Sequence, residues 1–118
     1  MDPFHQLVMM LFHSRTNAHL QHFQTKSYAA HKALNEYYDG IIGLVDDLVE
    51  AYQGMHGVQD SYEADFMIET DSVDMLSSIR EWIAENRTEV CPESHIQNII
   101  DEIQTLIDST LYKLKELS

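Results

Sequence analysis

The run HLQHFQTKSYAAHKALNEYYDGIIGLVDDLVE, residues 19–50, decides how this chain reads. Four side chains able to hold a metal ion punctuate it: His19, His31, Asp46 and Glu50, at offsets of twelve, fifteen and four residues. Apolar positions Leu34, Tyr38, Ile41, Val45, Leu48 and Tyr52 recur at threes and fours, which predicts one long helix from about residue 28 to 53. On that helix Asp46 and Glu50 stand one turn apart and project from the same side. His31 lies about 22 Å from Asp46 along the axis, fifteen residues at ~1.5 Å each. No single ion reaches both within one subunit. A second copy of the helix, antiparallel across a two-fold axis, would bring His31 of one chain near Asp46 and Glu50 of the other. The spacing therefore predicts a metal site shared between subunits, or no site.

Upstream, Phe4, Leu7, Val8, Leu11 and Phe12 mark a first helix over about residues 3–24, with Asp2 and Pro3 as N-cap and first-turn residue. Continued by threes and fours, this stripe passes Arg15, Ala18 with His19, and His22, so His19 lies on or beside the buried face. A lone histidine there is by default a core residue bonded to a neighbour. His22, one turn on, is a spare ligand or an outer hydrogen-bonding partner, and His13 belongs to the surface. Residues 24–27 contain no apolar member, and Thr25 or Ser27 can cap the next helix. Gly40 and Gly43 fall mid-helix, where each costs about 1 kcal/mol against Ala. Close approach of two backbones at a two-fold crossing would explain them, and the alternative is a break at Gly40. Gly54 and Gly57 are expected to end the helix.

Residues 58–71 form an acidic connection with an apolar patch, Phe66-Met67-Ile68. Fourteen extended residues at ~3.3 Å each can run the length of a bundle. Helices three and four are expected over about residues 72–87 and 92–117, the last with the cleanest stripe, Ile96 through Ile103 and Ile107 to Leu117. The fold predicted is all-α: an antiparallel four-helix bundle with one long crossover after the second helix, a single domain over residues 1–118.

Composition narrows the function. Seven Lys plus Arg stand against twenty Asp plus Glu, a formal net charge of −13, which argues against nucleic acid because phosphate contact needs clustered cations. Acidity suits the steering of divalent cations as well as plain solubility. A single cysteine, Cys91, excludes an intrachain disulfide and points to a reducing compartment. With no signal peptide and no bilayer-spanning apolar run, the expectation is a cytoplasmic protein that does not enter membranes. Zinc-finger spacings, phosphate-binding glycine loops and the Glu-x-x-His pair of intrasubunit di-iron bundles are missing from the sequence.

The pattern His-x11-His-x14-Asp-x3-Glu resembles the ferroxidase signature of the Dps-like mini-ferritins, a branch of the ferritin superfamily. The match covers the first half of the chain, and the second half only by helix pattern. Leu20 stands where family members usually carry Trp, Gln24 where a Gly is common, and the link between helical pairs is short; the trimmed length is similar to ferritin-like proteins of tailed phages. The resemblance implies that His19 and His31 of one subunit and Asp46 and Glu50 of its mate bind iron, with manganese and zinc as competitors. It also implies that Fe(II) is oxidised there by peroxide or dioxygen, with iron storage in a homo-oligomer that ranges from a homodimer to a dodecamer. Two other readings stand beside it: a structural or interaction bundle, and another metal-binding protein of that fold without ferroxidase activity.

Overall fold

The computed structural model describes residues 2–118, and its elements are α1 (Pro3–Gln24), α2 (Tyr28–His56), α3 (Ser72–Val90) and α4 (Ser94–Tyr112), closed by a π-helical turn, Lys113–Leu117. Among the described residues there is no strand, and no helix is long and apolar enough to cross a membrane. Helix starts follow local chemistry. The Asp2 carboxylate accepts from the Phe4 amide and Pro3 follows it, Ser27 Oγ accepts from the Ala30 amide, and Asp71 accepts from the Asp74 amide. α2, at 29 residues, matches the 43 Å long axis of the molecule at ~1.5 Å per residue.

Each helix packs on two others, in the order α1, α2, α4, α3 and back to α1. The enclosed core is built from Phe4, Leu7 and Leu11 on α1, and from Leu34, Tyr37, Ile41, Val45 and Leu48 on α2. Met75, Leu76 and Ile83 of α3 meet Ile96, Ile100, Ile103 and Ile107 of α4. Burying each such side chain stabilises the bundle by about 1.5–3 kcal/mol before chain entropy is counted. At the closing end of the α3–α4 hairpin, the Arg87 guanidinium donates to Gln97 Oε1, Gln104 Oε1 and Asp101 Oδ1. The Gln97 amide in turn donates to the carbonyls of Arg87 and Cys91.

The crossover runs parallel to α1 and is tied to it. His5 bonds Gln59 at 2.7 Å, and Phe66 meets the His13 ring edge-on. Asn17 then treats the crossover as a strand: its Nδ2 donates to the Met67 carbonyl (2.9 Å) while its Oδ1 accepts from the Glu69 amide (3.0 Å). Gln21 Nε2 donates to the Glu69 carbonyl. The buried stripe of α1 therefore turns polar past Leu11, through Ser14, Asn17 and Gln21.

Four expectations need correcting. α2 is unbroken at Gly40, and a Cβ there would meet Leu106 Cδ2 at 3.3 Å, so the close approach is to α4 of the same chain; at Gly43 a Cβ would meet nothing within 4 Å. Gly54 lies inside α2, which ends at Gly57, whose φ of 86° only glycine adopts freely. α3 runs on to Val90, because the Arg87 clamp holds its last turn on α4. Finally, the widened π turn shifts the phase of the last helix, so Leu114 is buried and Leu117 is exposed.

Candidate metal centre

The tight turn of residues 25–27 brings the end of α1 and the start of α2 together, and three histidines gather there. His22 and His31 stack with ring centroids 3.6 Å apart and 19° between planes. Each is locked by the other's backbone: His22 Nδ1 donates to the His31 carbonyl at 2.7 Å, and His31 Nδ1 to the His22 carbonyl at 2.8 Å. The His22 carbonyl is one of the last four of α1, which lack a helical partner, so His31 acts as its side-chain cap. With Nδ1 of each ring bonded to a backbone carbonyl, Nε2 is the nitrogen left over, the arrangement found behind metal-ligating histidines.

His19 sits beside this pair. Its ring stacks on Tyr38 at 4.0 Å and on Phe23 at 5.0 Å, and meets His22 edge-on at 6.0 Å. Tyr38 is held in place by donating to Asn35, whose amide donates to Asp39. His22 is buried, His19 and His31 are partly exposed, and the apolar rings of Phe23 and Tyr28 stand open to solvent around them.

Asp46 and Glu50 are elsewhere. Both lie far along α2 and are exposed, as is Asp47 between them, although their neighbours Val45, Leu48 and Val49 are apolar. The core stripe of α2 passes through Val45 and Leu48, and at about 100° per residue it turns both carboxylates outward. Among the described residues no group of three or more His, Cys, Asp or Glu side chains has metal-holding geometry. One chain thus assembles the three imidazoles and leaves the carboxylates apart.

Sequence reasoning paired His19 with His31 and gave His22 a secondary part. The close pair is His22 with His31. Their signal was present in the numbers: they flank the turn at Lys26 at almost equal distance, four residues before and five after. A second cluster involves Cys91, whose thiol donates to Glu93 Oε2 at 3.2 Å with His56 Nε2 4.0 Å away. Burial pushes this thiol up in pKa, so it stays protonated and unreactive at neutral pH.

Comparison with known proteins corrects the expected kinship. A family described as of unknown function (DUF5856) matches residues 22–114. An uncharacterised 14.6 kDa protein of Enterobacteria phage T4, from the mobD-ri intergenic region, is 30% identical over 107 residues, covering 89% of this chain and 82% of the relative. No solved structure matches. The family matched is one of unknown function, and nothing in these matches points to the mini-ferritins: the resemblance rests on a four-residue spacing pattern and on helical stripes, and many four-helix chains share the latter.

Proposed function

The chain belongs to a family of unknown function (DUF5856), and from its histidine geometry we infer a cytoplasmic metal-binding bundle whose site is completed between two copies. The observation that carries this reading is the reciprocal lock of His22 and His31, which ties both Nδ1 atoms to backbone carbonyls and leaves the two Nε2 atoms outside that lock at one end of the bundle. His19 lies beside them, its ring centroid 6.0 Å from that of His22. Asp46 and Glu50 of a second copy, running antiparallel, would supply the oxygen ligands. Two surface properties favour that pairing. Phe12, Leu20 and Phe23 on the outer side of α1 are exposed, and Ile42 and Val49 on α2 are only partly covered. The adjoining edge of α2 carries exposed Asp39, Asp46, Asp47 and Glu50, whose mutual repulsion across a two-fold axis a cation would relieve.

A mixed imidazole and carboxylate set suits iron, manganese or zinc. Calorimetric titration of the purified chain with Zn(II) and with anaerobic Fe(II), alongside light scattering, tests the reading. The expected result is tight binding, a rise in mass to at least a dimer, and a loss of affinity of about a hundredfold or more in His31→Ala. A chain that stays monomeric and binds neither metal overturns it.

A further inference from the structure

A groove on the opposite side of α1 from His19 and His22 has the makings of a docking site. It lies between α1, the crossover and α3, as two adjoining cavities of about 260 and 160 Å³ that share Met10, His13 and Asp65. Its floor is apolar and soft: Met10, Met67, Met75 and Ile79, three of them unbranched thioethers that adapt to a guest side chain. Asp65 and Glu69 form its rim, extended by Glu63. Neither cavity has a Lys or Arg in its lining. Ion pairs among the described residues involve Asp108, Asp101 and Glu36, so the rim carboxylates have no cationic partner.

The crossover offers more than a wall. Met67 is 71% exposed, Ile68 66% and Phe66 44%, an unbroken apolar run on a backbone that Asn17 and Gln21 hold in place. A mobile loop exposing such a run would cost ordering entropy on binding. This one is already fixed.

We propose that this groove binds a basic peptide segment of another protein, one that inserts an aliphatic or aromatic anchor among the methionines and sets Lys or Arg against Glu63, Asp65 and Glu69. Charge decides the occupant. A second copy of the chain is a poor one, with twenty acidic residues against seven basic, three of the seven being Arg80, Arg87 and Lys113, already paired. A methionine floor within an acidic rim is the complement of an amphipathic cationic segment, and the rim supplies both steering and register.

The probe is a fluorophore-labelled synthetic peptide with leucine and lysine at helical spacing, and its control has glutamate for lysine. Anisotropy should report binding of the first only, weakening as salt rises. Methyl spectra should show Met10, Met67 and Met75 shifting while Met55, outside the groove, does not. Met67→Asp, and separately Asp65→Lys with Glu69→Lys, alter exposed side chains and should leave the thermal unfolding midpoint in place. Each should weaken peptide binding by about tenfold or more. Glu102→Lys with Glu116→Lys, on the far side of the bundle, should change it less than about twofold. Equal loss from both charge reversals means diffuse attraction and overturns the proposal, as does an absence of binding or of methionine shifts. Self-association abolished by Met67→Asp would assign the groove to a second copy instead and overturn it too.

Discussion

Tyr37 carries its hydroxyl into the middle of the bundle, where it donates to Ser14 Oγ, which itself donates to the Leu11 carbonyl. Burial is the main influence on this phenol and pushes its pKa well above the ordinary range. The unfolded chain releases this proton near the usual value of about 10, whereas the folded chain holds it. The stabilisation is therefore complete below about pH 10 and is lost as pH climbs towards the folded value, by up to about 1.4 kcal/mol per pH unit. Urea midpoints of the wild type should fall more steeply between about pH 9.5 and about pH 11.5 than those of Tyr37→Phe. The difference between the two curves isolates Tyr37 from Tyr52 and Tyr62, whose pKa values are also raised, chiefly by burial. Asn17 makes a different case, since both ends of its amide are used by the crossover. Asn17→Ala should cost about 1–3 kcal/mol in denaturant unfolding, and the Glu69 amide should exchange its hydrogen much faster. Neither role was legible in the sequence. Ser14, Asn17 and Gln21 sit at helical spacing, but a polar stripe reads as a solvated face until a second segment is known to lie on it.

At the scale of elements, most of the fold could be read directly. Capping residues Asp2 and Ser27 and the apolar stripes locate the four helices, because burial of one face and satisfaction of the first amides are both local demands. What escaped were features set by neighbours: the extra turn of α3 under the Arg87 clamp, and the closing π turn that leaves Leu117 exposed. The glycines of α2 show the same division. Gly40 is held close to Leu106, while Gly43 faces open space within its own chain. Gly43→Ala should raise the stability of the isolated chain by about 0.5–1 kcal/mol, with Gly40→Ala gaining less because the Leu106 methyl must shift. Equilibrium unfolding at low protein concentration measures both. The carboxylates were legible as a pair on one side of α2, but not their exposure, which depends on a phase one residue away from Val45.

For the molecule as a whole, the proposed metal site makes a demand that mutations can address in pairs. Asp46→Ala with Glu50→Ala removes the oxygen ligands from one chain, and His31→Ala removes an imidazole from another. Each variant alone should bind metal weakly. Mixed and allowed to exchange subunits, they should recover up to about half of the sites in the heterodimers, since one of two interfaces regains a full set. Calorimetry on the mixture reads this. No recovery from folded, exchanging variants would mean that the ligands are not shared between copies.

The crossover has one more consequence, for how copies of this chain can and cannot combine. The two helical hairpins are joined by a segment that lies flat along α1 and is pinned at His5, Asn17 and Gln21, so there is no slack hinge between them. For one hairpin to leave its own bundle and complete that of a neighbour, fourteen residues would first have to be peeled from α1, with their hydrogen bonds broken together. Domain swapping, a hazard for bundles with free hinge loops, is thereby made more costly. Docking of whole four-helix units is favoured over exchange of hairpins between copies.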